Sequence, residues 1–112
     1  MHDALVAKRG QDPSVVARLL CGNPAKRFGL GARKGRIALG ADADFAILDP
    51  RKPFTVEARK SYSSAKWSPY DGWTVQGKVV RTILRGQTVF DGESVVAQAG
   101  YGQFLPGPGV AR

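Results

Sequence analysis

The chain has few of the residues from which hydrolytic and redox sites are usually built. Its 112 residues include one histidine, His2, and one cysteine, Cys21. A hydrolytic metal centre needs several histidine and carboxylate ligands, and a serine or cysteine triad needs a histidine beside its nucleophile. A single terminal histidine supplies neither arrangement. The sequence therefore predicts no catalytic, cofactor-binding or metal-binding residue in this chain.

Long apolar runs are also missing. No segment approaches the roughly 20 apolar residues needed to cross a bilayer, and the N-terminus lacks the continuous apolar stretch of a secretory signal. A single cysteine excludes an internal disulfide and favours a reducing, cytoplasmic location. Because Cys21 follows Leu19 and Leu20 on a predicted helix, we expect its side chain to be buried in packing rather than reactive.

Acidic residues are scarce relative to basic ones: 9 Asp and Glu stand against 17 Lys and Arg, for a net charge of +8. Such a surface can hold nucleic acid, an anionic membrane or an acidic partner. The cations are scattered in ones and twos, however, which is typical of ordinary solvated surface. Asp42 and Asp44 form a close pair of carboxylates. They follow Gly40, where aspartate commonly accepts backbone N–H groups in a turn, so a structural role is favoured over acid–base chemistry.

Aromatic residues are concentrated in one segment that also carries lysines. Tyr62, Trp67, Tyr70 and Trp73 lie between Lys60 and Lys78. Stacking aromatics beside cations are typical of surfaces that bind single-stranded nucleic acid, so a small basic nucleic-acid-binding module is an alternative function. The same residues equally suit a packed interface with a barrel or another subunit.

Helix signals fill the first quarter of the chain. Residues 1–8 are predicted to be helical and to stop at Gly10. Asp12-Pro13 then predicts the start of a second helix, with an N-cap residue followed by proline, and Gly22 predicts its end. Asn23-Pro24 has the same cap-and-proline pattern and predicts a short helical turn that ends at Gly29. One apolar stripe runs along the second helix. It comprises Val15, Val16, Leu19 and Leu20.

The hydrophobic period changes to that of strands after Gly35. Alternation at Ile37 and Leu39 predicts a first strand, and the apolar run 45–48 predicts a second that ends at Asp49-Pro50. Residues 54–56, 78–85, 88–90 and 95–97 are further predicted strands, with a hairpin turn at 85–87. We expect the runs 45–48 and 79–84 to share one core, in which Ile47 and Ile83 are almost wholly buried.

Five segments in order resemble the cyclic amidohydrolases, the group of allantoinase, dihydroorotase and hydantoinase. They are residues 23–30, 34–37 with 40–44, 68–72, 79–90 and 100–104. The resemblance implies the point where such a chain leaves the last helices of a TIM-type barrel and enters a small β-sandwich. It also implies metal-dependent hydrolysis of a cyclic amide, such as allantoin, by a parent enzyme. Zinc or another divalent metal pair is expected in the full-length family, but none of its ligands has a matching position here.

The resulting prediction is a mainly β fold with N-terminal helices, a C-terminal sandwich portion of a composite domain. Residues 1–30 would be terminal helices of an incomplete barrel, 31–99 the sandwich portion and 100–112 a flexible tail. We expect a catalytically incomplete C-terminal fragment that binds a missing barrel or self-associates through its N-terminal helices. A separately encoded structural subunit of a barrel enzyme is the second alternative. No membrane is expected as a partner, and nucleic acid is not favoured.

Overall fold

A three-stranded antiparallel sheet organises residues 1–108, the part of the chain that this computed structural model describes. Its strands are β1 (Phe45–Thr55), β2 (Thr74–Leu84) and β3 (Gln87–Phe90), which lie side by side in that order. An antiparallel sheet preceded by a few helices confirms the coarse fold prediction. Residues 1–108 contain this one sheet, so the second layer of a sandwich is not among their elements.

The helical part consists of short segments. A π-type turn, Asp3–Ala7, comes first. Helix α1 (Ser14–Ala17) then continues through a second π-type turn, Arg18–Gly22, into helix α2 (Asn23–Arg27). A 3-10 turn, Ala58–Lys60, lies between β1 and β2. The carboxylate of Asp12 accepts the N–H of Ser14 at 2.8 Å, which confirms the predicted start at Asp12-Pro13.

The helix end predicted at Gly22 is wrong. Gly22 is helical, with φ −63° and ψ −51°, and the chain stays helical to Arg27. A proline inside a helix lacks an N–H and crowds the preceding turn. Here the wide turn immediately before Pro24 relaxes that crowding, because a π-type turn does not require the usual hydrogen bond. Gly29, with φ +69°, closes the segment as predicted.

The hairpin of β2 and β3 is confirmed. Its turn places Arg85 at φ 45° and Gly86 at φ 80°, the pair of left-handed residues that gives a two-residue hairpin loop the twist of its strands. Strand β1 differs from the prediction, since it continues past Asp49-Pro50 to Thr55. Register shifts after Ile47 and Asp49 accommodate the prolines on this edge strand.

Two predicted strands are not formed. Ile37 and Leu39 belong to no strand, and they are 87% and 102% exposed. An isolated alternating segment has no ladder partner in the described residues, and alternation alone does not supply one. Residues 95–97 contribute only a single bridge, between Phe90 and Val95.

Apolar burial is sparse. Ala25 and Ala58 are the buried hydrophobic residues of the described chain, while Ile47 is 43% exposed and Ile83 is half-buried. The prediction that both isoleucines are almost wholly buried is therefore wrong. The two predicted runs do pair with each other, since Ile83 on β2 lies opposite Phe45 on β1. One side of a three-stranded sheet stays open unless another layer covers it.

The first turn of the chain contacts the sheet directly. The carboxylate of Asp3 accepts the N–H of Gln76 on β2 at 2.9 Å, and Lys8 forms an ion pair with Asp3 at 2.9 Å. The predicted divisions at residues 30 and 99, and a flexible tail over 100–112, stay predictions. Residues 109–112 lie outside the described part of the chain.

Candidate functional site at the crossing from helix to sheet

The loop between α2 and β1 folds back and reaches the hairpin turn. The N–H of Asp42 donates to the carbonyl of Arg33 at 2.9 Å, and the N–H of Gly86 donates to the carbonyl of Ala43 at 2.9 Å. These two bonds bring residues 42–44 between the end of the helical segment and the turn that joins β2 to β3. The two predicted aspartates therefore lie where helices, loop and sheet meet.

Four charged side chains form a cluster at this meeting point. The guanidinium of Arg33 donates to both carboxylate oxygens of Asp42, at 3.0 and 3.2 Å. The ammonium of Lys34 lies 2.8 Å from the Asp42 carboxylate and also pairs with Asp44. The remaining oxygen of Asp44 accepts the backbone N–H of Arg85 at 2.8 Å. We call Arg33, Lys34, Asp42 and Asp44 the crossing cluster.

The crossing cluster fixes the charge of its members. Hydrogen bonds from Lys34 and then Arg33 hold the pKa of Asp42 below its ordinary value of 3.8. Partial burial raises the pKa of Asp44, but the bonds from Lys34 and the N–H of Arg85 outweigh it, so the net pKa is also lowered. The same two carboxylates raise the pKa of Lys34 above its ordinary value of 10.5.

Such a cluster is suited to holding segments together rather than to acid–base chemistry. A general acid or base works best with a pKa near the operating pH, and these shifts move all three groups further away from neutrality. Each carboxylate already accepts two or more hydrogen bonds. The cluster thus fits the structural role predicted for Asp42 and Asp44. The groups that donate to the two carboxylates are the cations of Arg33 and Lys34 and the distant backbone N–H of Arg85. They are not the N–H groups of a local turn.

A second set of contacts meets the crossing cluster at Arg85. The guanidinium of Arg85 lies over the ring of Tyr101, 4.5 Å from its centroid, and donates to the carbonyl of Tyr101. The hydroxyl of Tyr101 donates to the carbonyl of Leu84 at 2.9 Å. Residues near the C-terminus are thereby joined to the hairpin. The sequence had marked Asp42 and Asp44, but it carried no signal for Arg85 or Tyr101, because their contacts depend on segments far apart in the chain.

The one histidine and the one cysteine of the chain differ in their surroundings. His2 is not a free surface residue: its Nδ1 lies 3.0 Å from the carbonyl of Gln76, and its ring fills the space beside Gly77. Cys21 is exposed, so its predicted burial is wrong. A lone exposed cysteine gives no catalytic arrangement.

Neither the aromatic segment nor the main groove forms a preorganised site. Tyr70 and Trp73 make an edge-to-face contact with centroids 5.3 Å apart, whereas Tyr62 and Trp67 are 76% and 72% exposed. An open groove of about 290 Å³ carries charges of both signs. Its lining comprises Lys52, Lys78, Val80, Asp91, Gly92 and Glu93.

The described residues do not fit a metal centre. Within residues 1–108 no three side chains of the ligating types His, Cys, Asp and Glu come together. In the same range, no helix is both long and apolar enough to span a membrane. The geometry therefore identifies a polar structural junction as the principal organised site of this part of the chain.

Comparison with known proteins identifies the family of this chain. Residues 12–90 match the model described as "Amidohydrolase family". The chain is 40% identical over 93 residues to D-phenylhydantoinase of Escherichia coli K12 / DH10B, covering 83% of this chain and 20% of that protein. The chain thus spans about a fifth of the length of the curated relatives it matches.

Solved structures agree with the sequence match. The L-hydantoinase of Arthrobacter aurescens superposes with a TM-score of 0.89 and 36% identity, covering 95% of this chain and 24% of that one. The dihydropyrimidinase of Brevibacillus agri NCHU1002 gives a TM-score of 0.86 and 28% identity over 98% of this chain and 24% of its own. The fold is that of a segment of a cyclic amidohydrolase. The chain belongs to the amidohydrolase family.

Proposed function

We propose that the chain is the C-terminal portion of a cyclic amidohydrolase and serves that enzyme as scaffold rather than as catalyst. The observation that carries this proposal is the combination of a close structural match with a surface left open. The chain superposes on about a quarter of a hydantoinase, and its apolar side chains remain largely exposed. A segment that normally packs against the rest of an enzyme has both properties.

The chemistry of the parent would reside outside this chain. Metal-dependent hydrolysis needs ligands that converge on an ion, and the described residues supply no such group. The crossing cluster would hold the barrel-side helices in a fixed position relative to the sheet.

The proposed substrate class of the parent is a cyclic amide. Allantoin was the example expected from the sequence, and the matched relatives carry the names hydantoinase and dihydropyrimidinase. These names support a hydantoin or a dihydropyrimidine as the first substrate to assay, with allantoin as a comparison. A nucleic-acid-binding module is not favoured, because the family match over residues 12–90 includes the aromatic segment.

A chimera tests the scaffold role. The matching segment of the Escherichia coli D-phenylhydantoinase is replaced by the corresponding residues of this chain. Hydrolysis of 5-phenylhydantoin, dihydrouracil and allantoin is measured at fixed zinc. We expect the chimera to turn over at least the parent's substrate, and the isolated chain to give no turnover above the blank.

Two outcomes would contradict the proposal. One is a soluble, metal-loaded chimera without turnover. The other is metal-dependent hydrolysis by the isolated chain that persists through further purification.

A further inference from the structure

The strongest unexplained feature of the described chain is the residue at the first position of the hairpin turn. Arg85 has φ 45°, a left-handed conformation that asparagine, aspartate or glycine adopts more readily than arginine. An arginine at this position makes the turn less favourable than asparagine or glycine would, because it adopts positive φ less readily. The preference of the turn therefore does not account for the arginine at position 85.

Those contacts connect three separate segments. The backbone N–H of Arg85 donates to Asp44 of the crossing cluster. Its guanidinium stacks on the ring of Tyr101 and donates to the carbonyl of that residue. Tyr101 in turn donates its hydroxyl to Leu84, at the end of β2. An arginine offers a planar group that stacks and donates at once, which asparagine cannot do.

The residues after Tyr101 run on to the far end of the helical segment. A Cβ added to Gly29 would overlap the ring of Pro108, so this proline sits directly against the glycine that closes α2. A Cβ added to Gly107 would lie 3.2 Å from the carbonyl of Phe28. Residues 101–108 thus extend from the hairpin turn to the end of α2. We call them the strap.

The strap matters because α1 and α2 pack little on the sheet themselves. The extensive contacts of the described elements are those between neighbouring strands, those within the helical segment and those of the turn Asp3–Ala7 on β2. The position of α2 relative to the hairpin therefore depends on the loop with its crossing cluster and on the strap.

We infer that Arg85 and Tyr101 form a latch that fastens the strap across the junction and so holds the end of α2 against the β2–β3 turn. The latch explains why an arginine occupies a left-handed turn position. It also gives residues 101–108 a conformational role within the chain, independent of whether the parent enzyme hydrolyses a cyclic amide.

NMR of the full 112-residue chain tests the latch, with Arg85→Asn as the principal variant. Asparagine suits the left-handed position, so the hairpin itself should be preserved or stabilised. The readouts are the nuclear Overhauser contact between Gly29 Hα and Pro108 Hδ and the backbone mobility of residues 102–107. We expect the contact to be lost and the mobility to rise, while cross-strand contacts between β2 and β3 persist. Arg81→Asn is the control and should change neither readout.

Tyr101 variants separate the latch from the turn, because they leave residues 85 and 86 untouched. Tyr101→Ala should release the strap as Arg85→Asn does, and Tyr101→Phe, which removes only the hydroxyl, should weaken the Gly29–Pro108 contact without abolishing it. Should Arg85→Asn fail to fold, these two variants decide the matter. An unchanged contact and unchanged mobility in Tyr101→Ala would overturn the proposal.

Discussion

At the scale of single residues, Asp44 is the member of the crossing cluster with the widest reach. Its carboxylate pairs with Lys34 and accepts the N–H of Arg85, 41 residues away in sequence. Asp44→Asn keeps an oxygen for that N–H but removes the charge. We expect the free energy of unfolding to fall by about 1.5–3 kcal/mol, the range for hydrogen bonds to charged groups. Urea denaturation measures this change.

Asp49→Asn is the matched control for that substitution. Asp49 also accepts a backbone N–H, from Arg51 at 3.0 Å, but this bond is local and no cation pairs with the side chain among residues 1–108. Its replacement should leave the urea midpoint nearly unchanged. Equal losses for the two variants would show that the crossing cluster contributes nothing beyond a local turn.

The pKa shifts of the crossing cluster predict how stability depends on pH. Because the pKa values of Asp42 and Asp44 are lowered in the folded chain, their contribution is complete above the ordinary value of 3.8 and is lost as the pH falls through the lower folded values. Because the pKa of Lys34 is raised, its contribution is complete below 10.5 and is lost as the pH rises through the higher folded value. Urea midpoints should therefore form a plateau between these limits.

The double variant Asp42→Asn, Asp44→Asn provides the comparison for the pH series. It should make the acid limb shallower, because two of the carboxylates that titrate there have been removed while Asp3, Asp12 and Asp91, whose pKa values are also lowered, remain. It should also flatten the alkaline limb, since Lys34 would no longer have the carboxylate partners that raise its pKa. A double variant with the same acid limb as the unmodified chain would assign that limb to other carboxylates.

At the scale of secondary-structure elements, the sequence predicted correctly those features that depend on neighbouring residues. The cap at Asp12, the terminator at Gly29 and the hairpin at 85–86 each depend on residues a few positions apart, and each is confirmed. The strand predicted at Ile37 and Leu39 failed because a strand needs a partner, which alternation does not reveal. The extension of β1 beyond Pro50 could not be predicted from local residues either, because it depends on pairing with β2 that resumes after the register shifts.

The candidate site was predictable only in part for the same reason. Asp42 and Asp44 could be selected as a carboxylate pair after a turn glycine. Their partners Arg33 and Lys34 lie 9 and 10 residues upstream, and Arg85 and Tyr101 lie on segments that meet only after the sheet has formed. Tertiary contacts of this kind leave no periodic trace in a single sequence.

The sheet element gives a prediction that depends on context. Ile47 lies on β1 opposite Arg81 and is 43% exposed. In the isolated chain Ile47→Ala should cost about 1 kcal/mol, because a large part of the residue stays in contact with water after folding. In the hydantoinase chimera, where we propose that another layer covers this face, the same change should cost about 2–5 kcal/mol. Thermal and urea denaturation of the Ile47→Ala variant and its parent, in the isolated chain and in the chimera, measures how much the cost differs between the two contexts.

Thr55→Ala is the control for the comparison between the two contexts. Thr55 lies at the end of the same strand and pairs its hydroxyl with that of Thr74 at 2.9 Å, an exposed contact within the sheet. Its cost should therefore be similar in the isolated chain and in the chimera. A cost for Ile47→Ala that is equally small in both would mean that the face around Ile47 stays open in the larger enzyme.

At the scale of the whole molecule, the surface is too large for a chain of this mass. The accessible area is 8587 Å² for 12.0 kDa, whereas a folded monomer of that mass is expected to expose roughly 6,000 Å². The excess is comparable to the area that obligate protein interfaces bury. It includes Leu19 and Leu20 of the helical stripe, which are 39% and 54% exposed.

We therefore predict that the isolated chain associates at micromolar concentration, through a surface that includes this stripe. Exposed apolar patches of a few hundred Å² usually lead to association, and the net charge of +8 opposes it only through a repulsion that salt screens. Light scattering should give a mass above that of a monomer, and added salt should raise it. Leu19→Gln with Leu20→Gln should shift the distribution towards monomer, while Arg18→Gln, an exposed neighbour on the same turn, should not. A monomer that keeps its helical signal at all salt concentrations would show that the stripe needs no partner, and the scaffold role would then have to be carried by the sheet face alone.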